Sequence, residues 1–272
     1  MAEITAAAVK ELREVTGLPM MDCKQALTAT QGDKEAAVKW LREQGRAVNE
    51  KRADRDTAFG RFGLYTSPSG GAMVELRCES APVAGSTEFI QLANDLAKQL
   101  ATGPGAKTAE ELLAQASPSK AGSTLGEVKD DMFNRIREVF NVGRMIRYAG
   151  ATGGYSHNSG TVSGVLVEFE GGKEEHAKDV SMHIAAMKPK GLNKEDIAAD
   201  LVDAERQVLK AAALAEGKPA NIVDKMVEGR LRNFYAEKVL TEQPFVKDEK
   251  QTVGAFAQAN GMKLKQFTHW EL

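Results

Sequence analysis

The scarcest residues that could hold a metal ion, grip a nucleotide or attack a bond are four histidines, two cysteines and one glycine-rich stretch. His176 and His183 lie on one face of a predicted helix, but two helical turns separate them by ~10 Å, too far to share a metal. One exposed and one packed imidazole is the expectation for that pair. His157 falls in the glycine-rich turn of a predicted hairpin, where the ring is either presented to a partner or an ordinary loop side chain. No histidine, His269 included, stands in a Ser/His/Asp or Cys/His order with supporting motif context. Cys23 and Cys78 form no CxxC pair, which argues against a disulfide framework or a structural zinc site and for a reducing compartment. The stretch Gly103-Pro104-Gly105-Ala106-Lys107-Thr108 has a superficial look of a phosphate loop. That loop needs Gly immediately before Lys-Ser/Thr, however, and Ala106 intervenes; the stretch also follows a helix and not a strand. No catalytic residue, metal site, cofactor or direct nucleotide binding is expected, and the chain does not read as an enzyme.

Sulfur stands out in a different way, in the turn Thr16-Gly17-Leu18-Pro19-Met20-Met21-Asp22-Cys23. Two adjacent thioethers after a proline suit adaptable docking to another protein, although methionines also fill irregular core gaps. The elements that position this turn are legible nearby. Ile4, Val9, Leu12 and Val15 recur at helical spacing behind Thr5 as N-cap, and Gly17 with Pro19 supplies the stop. A second helix is expected over 20–28, with Asp22 in its first turn, where the helix dipole favours an anion. A third starts at Asp33, carries Val38, Trp40 and Leu41, and stops at Gly45. One helical stripe cannot bury Met20, Met21, Cys23 and Leu27 together, so at least one methionine is expected at the surface.

The 272 residues suffice for two or three compact units. A formal net charge of −2 and a pI near 6.2 give no electrostatic ground for a nucleic-acid partner. Residues 46–55 mix both signs and read as a solvated linker. The N-terminus lacks the features of a signal or transit peptide, and no apolar run is long enough to span a bilayer, so no membrane association and a cytoplasmic location are expected.

After the linker the period changes from helical to alternating. Phe62 and Leu64, a Ser67–Gly71 turn, and Ala72, Val74, Leu76 and Cys78 predict a hairpin with one buried face. A helix follows through Phe89, Leu92, Leu96 and Leu100 and stops at Gly103. Residues 108–148 read as helical in two pieces, 109–116 and 125–140. The plan then recurs, with strands over 152–156 and 161–169 and a helix over 174–187, which suggests a duplicated α+β core. Two long helices, 193–216 and 221–239, predict an antiparallel hairpin. Its seam is expected to set Ile197, Leu201, Ala204, Val208 and Leu209 against Ile222, Val223, Met226, Leu231 and Phe234. Residues 262–272 supply a last strand. The fold class is therefore α+β. Its parts are a three-helix docking module over 1–48, a charged linker over 49–58 and a core subdomain over 59–142. A second core subdomain spans 143–190 and 240–272, with the helical hairpin inserted over 191–239.

The stretch MAEITAAAVKELREVTGLPMMDCKQAL, residues 1–27, resembles the amino-terminal module of elongation factor Ts. Further runs similar to that family are Tyr155, His157 and Gly164-Val165-Leu166-Val167, then Met182-His183-Ile184-Ala185-Ala186 with Lys188-Pro189. Gly217-Lys218-Pro219, Lys225-Met226-Val227-Glu228-Gly229-Arg230 and Gln243-Pro244-Phe245-Val246 complete the set, in family order. The resemblance implies a UBA-like fold for the first module. It also implies a guanine-nucleotide exchange factor that binds elongation factor Tu, GDP-bound and nucleotide-free, in an assembly that extends to a dimer of heterodimers.

Carried over residue by residue, Arg13, Met20 and Met21 match positions by which the family docks on the nucleotide-binding domain of elongation factor Tu. His157 matches a histidine near the phosphate-loop side of that domain, and the hairpin over 193–237 matches an element implicated in partner contact. Where the family carries Thr-Asp-Phe-Val, this chain has Ser80-Ala81-Pro82-Val83, so Ala81 and Pro82 replace the carboxylate and ring that wedge near the Mg²⁺ and switch region. Cys78, Val83, Ala84 and Phe89 keep the register. The expected function is acceleration of GDP release and exchange for GTP by distortion of the phosphate and Mg²⁺ region. The alternative is an elongation factor Tu-binding or chaperone-like partner with weak or no exchange activity.

Overall fold

A computed structural model describes residues 4–52, 54–217 and 219–272. The first three residues of the family-like stretch and the Lys218 of Gly217-Lys218-Pro219 lie outside the described residues, as do the side chains of Arg46 and Glu50 in the charged segment. The chain is α+β, and it divides into two compact units, one of residues 1–63, 74–145 and 272, the other of 64–73 and 146–271.

The first unit opens with α1 (Ala6–Thr16), α2 (Met20–Ala29) and α3 (Lys34–Glu50). The Thr5 side chain accepts the Ala8 N–H, and Gly17, at φ 69°, closes α1 by donating its N–H to the Arg13 carbonyl. Val9, Leu12, Leu18, Cys23, Ala26, Leu27, Ala37 and Leu41 form the module's core. Val15, expected in that stripe, is 74% exposed. Leu18, turned back by the left-handed glycine, takes a place in the cluster instead.

Then come β1 (Phe59–Tyr65), β2 (Gly71–Cys78), α4 (Ala81–Ala84), α5 (Thr87–Thr102), α6 (Ala109–Leu113), α7 (Leu125–Ile136) and β3 (Asn141–Tyr148). The strands form a sheet in the order β1–β2–β3. β3 corrects the expectation of helix through residue 140 and beyond. Arg137, in the left-handed region at φ 66°, caps α7 and turns the chain out of the helix. With a strand on either side, β2 is buried on both faces and not on one. A Cβ at Gly63 of β1 would overlap the Ala93 carbonyl of α5, so this glycine permits a close approach of sheet and helix. Gly45 does not end α3 as expected. The helix runs five residues further, and a Cβ at Gly45 would overlap the Asn134 side chain of α7, so the glycine serves close packing.

The second unit contains β4 (Ala151–His157), β5 (Ser163–Gly171), α8 (Glu174–Met187), α9 (Ala199–Ala215), α10 (Ala220–Lys238), β6 (Pro244–Phe245), β7 (Asp248–Thr252), α11 (Val253–Ala259) and β8 (Met262–Glu271). β4, β5 and β8 form an antiparallel sheet in that order, with Gly153 opposite Val167 and Val167 opposite Phe267. α8 packs on it over Val165, Val167, Ala177, Val180 and Ile184. Gly153 repeats the device of Gly63: its Cβ would lie 2.5 Å from that of Ala177 in α8. A hairpin, a third strand and a helix seated on a strand glycine thus occur twice.

α9 begins later than expected, after a short 3₁₀ turn over Lys194–Asp196 whose Asp196 carboxylate accepts the Leu192 and Asn193 N–H groups. The α9–α10 seam is Val202, Ala213, Val223, Val227 and Leu231, joined by Ile197 and Val239. Leu201, Val208 and Ile222, expected inside, are exposed. Small Ala213 lets the helices approach on a face rotated from the one carrying the larger residues.

Candidate partner-docking site

The methionine turn is held from beneath. Leu18, Cys23 and Leu27 are buried under it, and the Cys23 thiol makes a weak contact to the Leu18 carbonyl at 3.7 Å. Pro19, at φ −56°, precedes the first turn of α2, and Asp22 stands in that turn. Met20 is 43% and Met21 63% exposed, so both thioethers face outward on a packed base. Arg13 is exposed on α1. Sequence periodicity missed Val15, which completes an exposed apolar set flanking the Gly17 turn; the signal available was that Leu18 could take its core position.

The second turn, over residues 78–84, is fastened at its base. The Cys78 thiol donates to the Ser80 carbonyl at 3.2 Å, and burial pushes that thiol up to about 11, so it stays protonated. The Ser80 N–H and hydroxyl donate to the two oxygens of Glu138, at 3.1 and 2.6 Å. Glu79 accepts the Val139 N–H at 2.8 Å and pairs with Arg55 at 3.0 Å. Arg55 and Arg52, which donates to the Arg137 carbonyl, anchor a segment expected to be a solvated linker. Arg61, its pKa lowered by burial, donates to the Ala84 carbonyl. At the tip, Ala81 and Pro82 are exposed and Val83 is half-buried, with Pro82 in the first turn of α4. A methyl group and a pyrrolidine ring offer neither charge nor a large aromatic face.

His157 belongs to the second unit. It ends β4, an edge strand, and so sits just before the turn to which sequence assigned it. Tyr155, two residues earlier on the same face, places its hydroxyl 2.9 Å from His157 Nδ1. With the hydroxyl as donor, Nε2 carries the ring proton and is the atom left to face a partner. Of the helical pair, His183 is buried as expected, whereas His176 keeps only 21% of its side chain exposed, against Phe256.

The candidate groups therefore fall in two sets: Arg13, Met20, Met21 and residues 81–83 on the first unit, and His157 on the second. Among the described residues no three His, Cys, Asp or Glu side chains converge to hold a metal, and no helix is long and apolar enough to cross a membrane. The α+β scaffold presents turns with rigid bases and soft apolar tips, an arrangement suited to binding a macromolecule.

A family model described as Elongation factor TS matches residues 82–272. Elongation factor Ts of Methylococcus capsulatus is 45% identical over 272 residues, covering 99% of this chain and 92% of that protein. The protein of that name from Saccharopolyspora erythraea is 41% identical over 276 residues, covering 100% and 99%. That from Nitrosomonas eutropha is 42% identical over 272 residues, covering 98% and 91%. The chain belongs to the elongation factor Ts family. Membership makes it a translation elongation factor.

Proposed function

We propose that this chain binds elongation factor Tu in the cytoplasm, in its GDP-bound and nucleotide-free forms, and promotes release of GDP and its replacement by GTP. The observation that carries the proposal is the outward pair Met20 and Met21 on a turn whose base is packed, in a chain of this family. Exchange requires only linked binding: a factor that lowers nucleotide affinity has its own affinity lowered by nucleotide in the same ratio. GDP leaves from a transient ternary complex, and GTP displaces the factor. The means is distortion of the phosphate and Mg²⁺ region, to which His157 and residues 81–83 are directed.

A second function, binding with weak or no exchange, is favoured by one specific observation: the exposed tip carries Ala81 and Pro82. Stopped-flow release of fluorescent GDP from the cognate elongation factor Tu separates the two. Acceleration by the chain supports exchange, binding without acceleration supports the second function, and absence of both rejects the family partner. Ala81→Asp with Pro82→Phe, which restores the family's carboxylate and ring, is expected to raise the release rate about tenfold if a missing anchor limits it.

A further inference from the structure

Between α7 and β3 the chain crosses residues 137–140, and two consecutive side chains there reach the two turns that bear the candidate docking residues. Arg137 Nη2 donates to Asp22 Oδ2 at 2.7 Å, next in sequence to Met21. Glu138 accepts both the N–H and the hydroxyl of Ser80, next in sequence to Ala81. The crossing is itself pinned: Val139 and Phe140 are buried, Phe140 lies with its ring centroid 5.8 Å from that of Phe89, and the Val139 N–H is held by Glu79. Arg137 is one of three described non-glycine residues at positive φ, a conformation that disfavours a side chain bearing Cβ. Its carbonyl accepts Arg52 and its N–H donates to Phe133, so the unusual backbone is held on both sides.

We infer that Arg137 and Glu138 are positioning residues, a two-armed clamp that sets the methionine turn and the 80–83 turn in one fixed relation so that a partner meets both at once. That these turns dock a partner rests on the function proposed above; that the clamp sets their relation does not. Pre-setting two contact elements removes ordering cost from association. An ion pair on one arm and a charge-assisted hydrogen-bond pair on the other hold the turns without covering their tips.

The test uses the full chain with fluorotryptophan at both tryptophans. Trp40 lines a cavity of about 150 Å³ together with Asp22 and Arg137, while Trp270 lies on β8 and serves as internal reference. Arg137→Glu sets a like charge against Asp22 and is expected to move or broaden the ¹⁹F line of Trp40 while Trp270 stays in place. Adding Asp22→Arg restores the line. An unmoved Trp40, or failure of the swap to restore it, overturns the inference. In GDP release from elongation factor Tu, Arg137→Glu and Glu138→Ala are each expected to raise the chain concentration for half-maximal release about fivefold at unchanged maximal rate, the swap again restoring the first. Equal half-maximal concentrations in wild type and both variants also overturn the clamp. If the wild-type chain leaves GDP release untouched, the proposed function fails, and the clamp still stands or falls on the Trp40 spectrum.

Discussion

His183 Nε2 lies 2.8 Å from Gln243 Oε1, while Nδ1 of the same ring accepts the Val246 N–H at 3.2 Å. The ring is thereby a neutral Nε2–H tautomer with both nitrogens engaged. Gln243 Nε2 in turn donates to the Glu237 carbonyl near the end of α10, which ties the helical hairpin to α8 through two fully buried side chains.

Burial lowers the His183 pKa from its ordinary value of 6.5, and the Gln243 hydrogen bond opposes this only in part. The unfolded chain therefore binds the proton more readily, so this contribution to stability is complete above about pH 6.5 and is lost as pH falls. His269 is shifted in the same direction, first by burial, and adds to the slope. Thermal unfolding between pH 7 and 5 should show a falling midpoint that is shallower in His183→Gln. At pH 7 that variant should also lose about 1–3 kcal/mol from unpaired buried groups.

Glu75, with 5% of its side chain exposed, receives the N–H, Nε and Nη2 of Arg144, and Arg77 lies 3.6 Å away. Burial pushes its carboxyl up, but the Arg144 hydrogen bonds and both arginine charges outweigh this, leaving it below its ordinary value. Its contribution is present above about pH 4.5 and lost as pH falls through the depressed value. Arg144→Met removes the main compensation for a buried anion and should cost about 3 kcal/mol at pH 7. In that variant burial favours protonation, so denaturant titrations should show a penalty that shrinks toward pH 4.

Gly153→Ala sets a methyl group against Ala177, whose Cβ would be 2.5 Å away in a packed sheet–helix contact. A loss of about 1–3 kcal/mol is expected in urea unfolding. Gly63→Ala should behave alike for the first unit, with the clash falling on the Ala93 backbone.

Met20→Ala and Met21→Ala remove exposed thioethers, so the unfolding midpoint should stay within about 0.5 kcal/mol of wild type. Titration against elongation factor Tu·GDP should nevertheless show affinity falling about fivefold or more for the stronger of the two. Leu18→Ala, beneath the same turn and 5% exposed, should instead cost about 2–4 kcal/mol of stability.

Local chemistry made much of the chain legible before any coordinates. Thr5 and Gly17 bound α1, Gly103 follows the last turn of α5, and the predicted 174–187 helix has the observed ends, because caps and period act within a few residues. The family-like runs pointed to the family in the same local way. β3 was misread because Asn141–Tyr148 buries only Tyr148 fully, with Arg144 committed to Glu75 across the sheet, so no apolar alternation marks it as a strand. Gly45 looked like a stop since the close approach of Asn134 lies far along the chain. The face of α9 depended on which side α10 covers, and the outward setting of Val15 on how Leu18 folds back. The Asp22–Arg137 pair, 115 residues apart in sequence, is a further case. Composition and spacing suffice for interactions closed within a helical turn or a hairpin; those closed by packing distant elements together have no counterpart in either, and the relation between the methionine turn and the 80–83 turn is one of them.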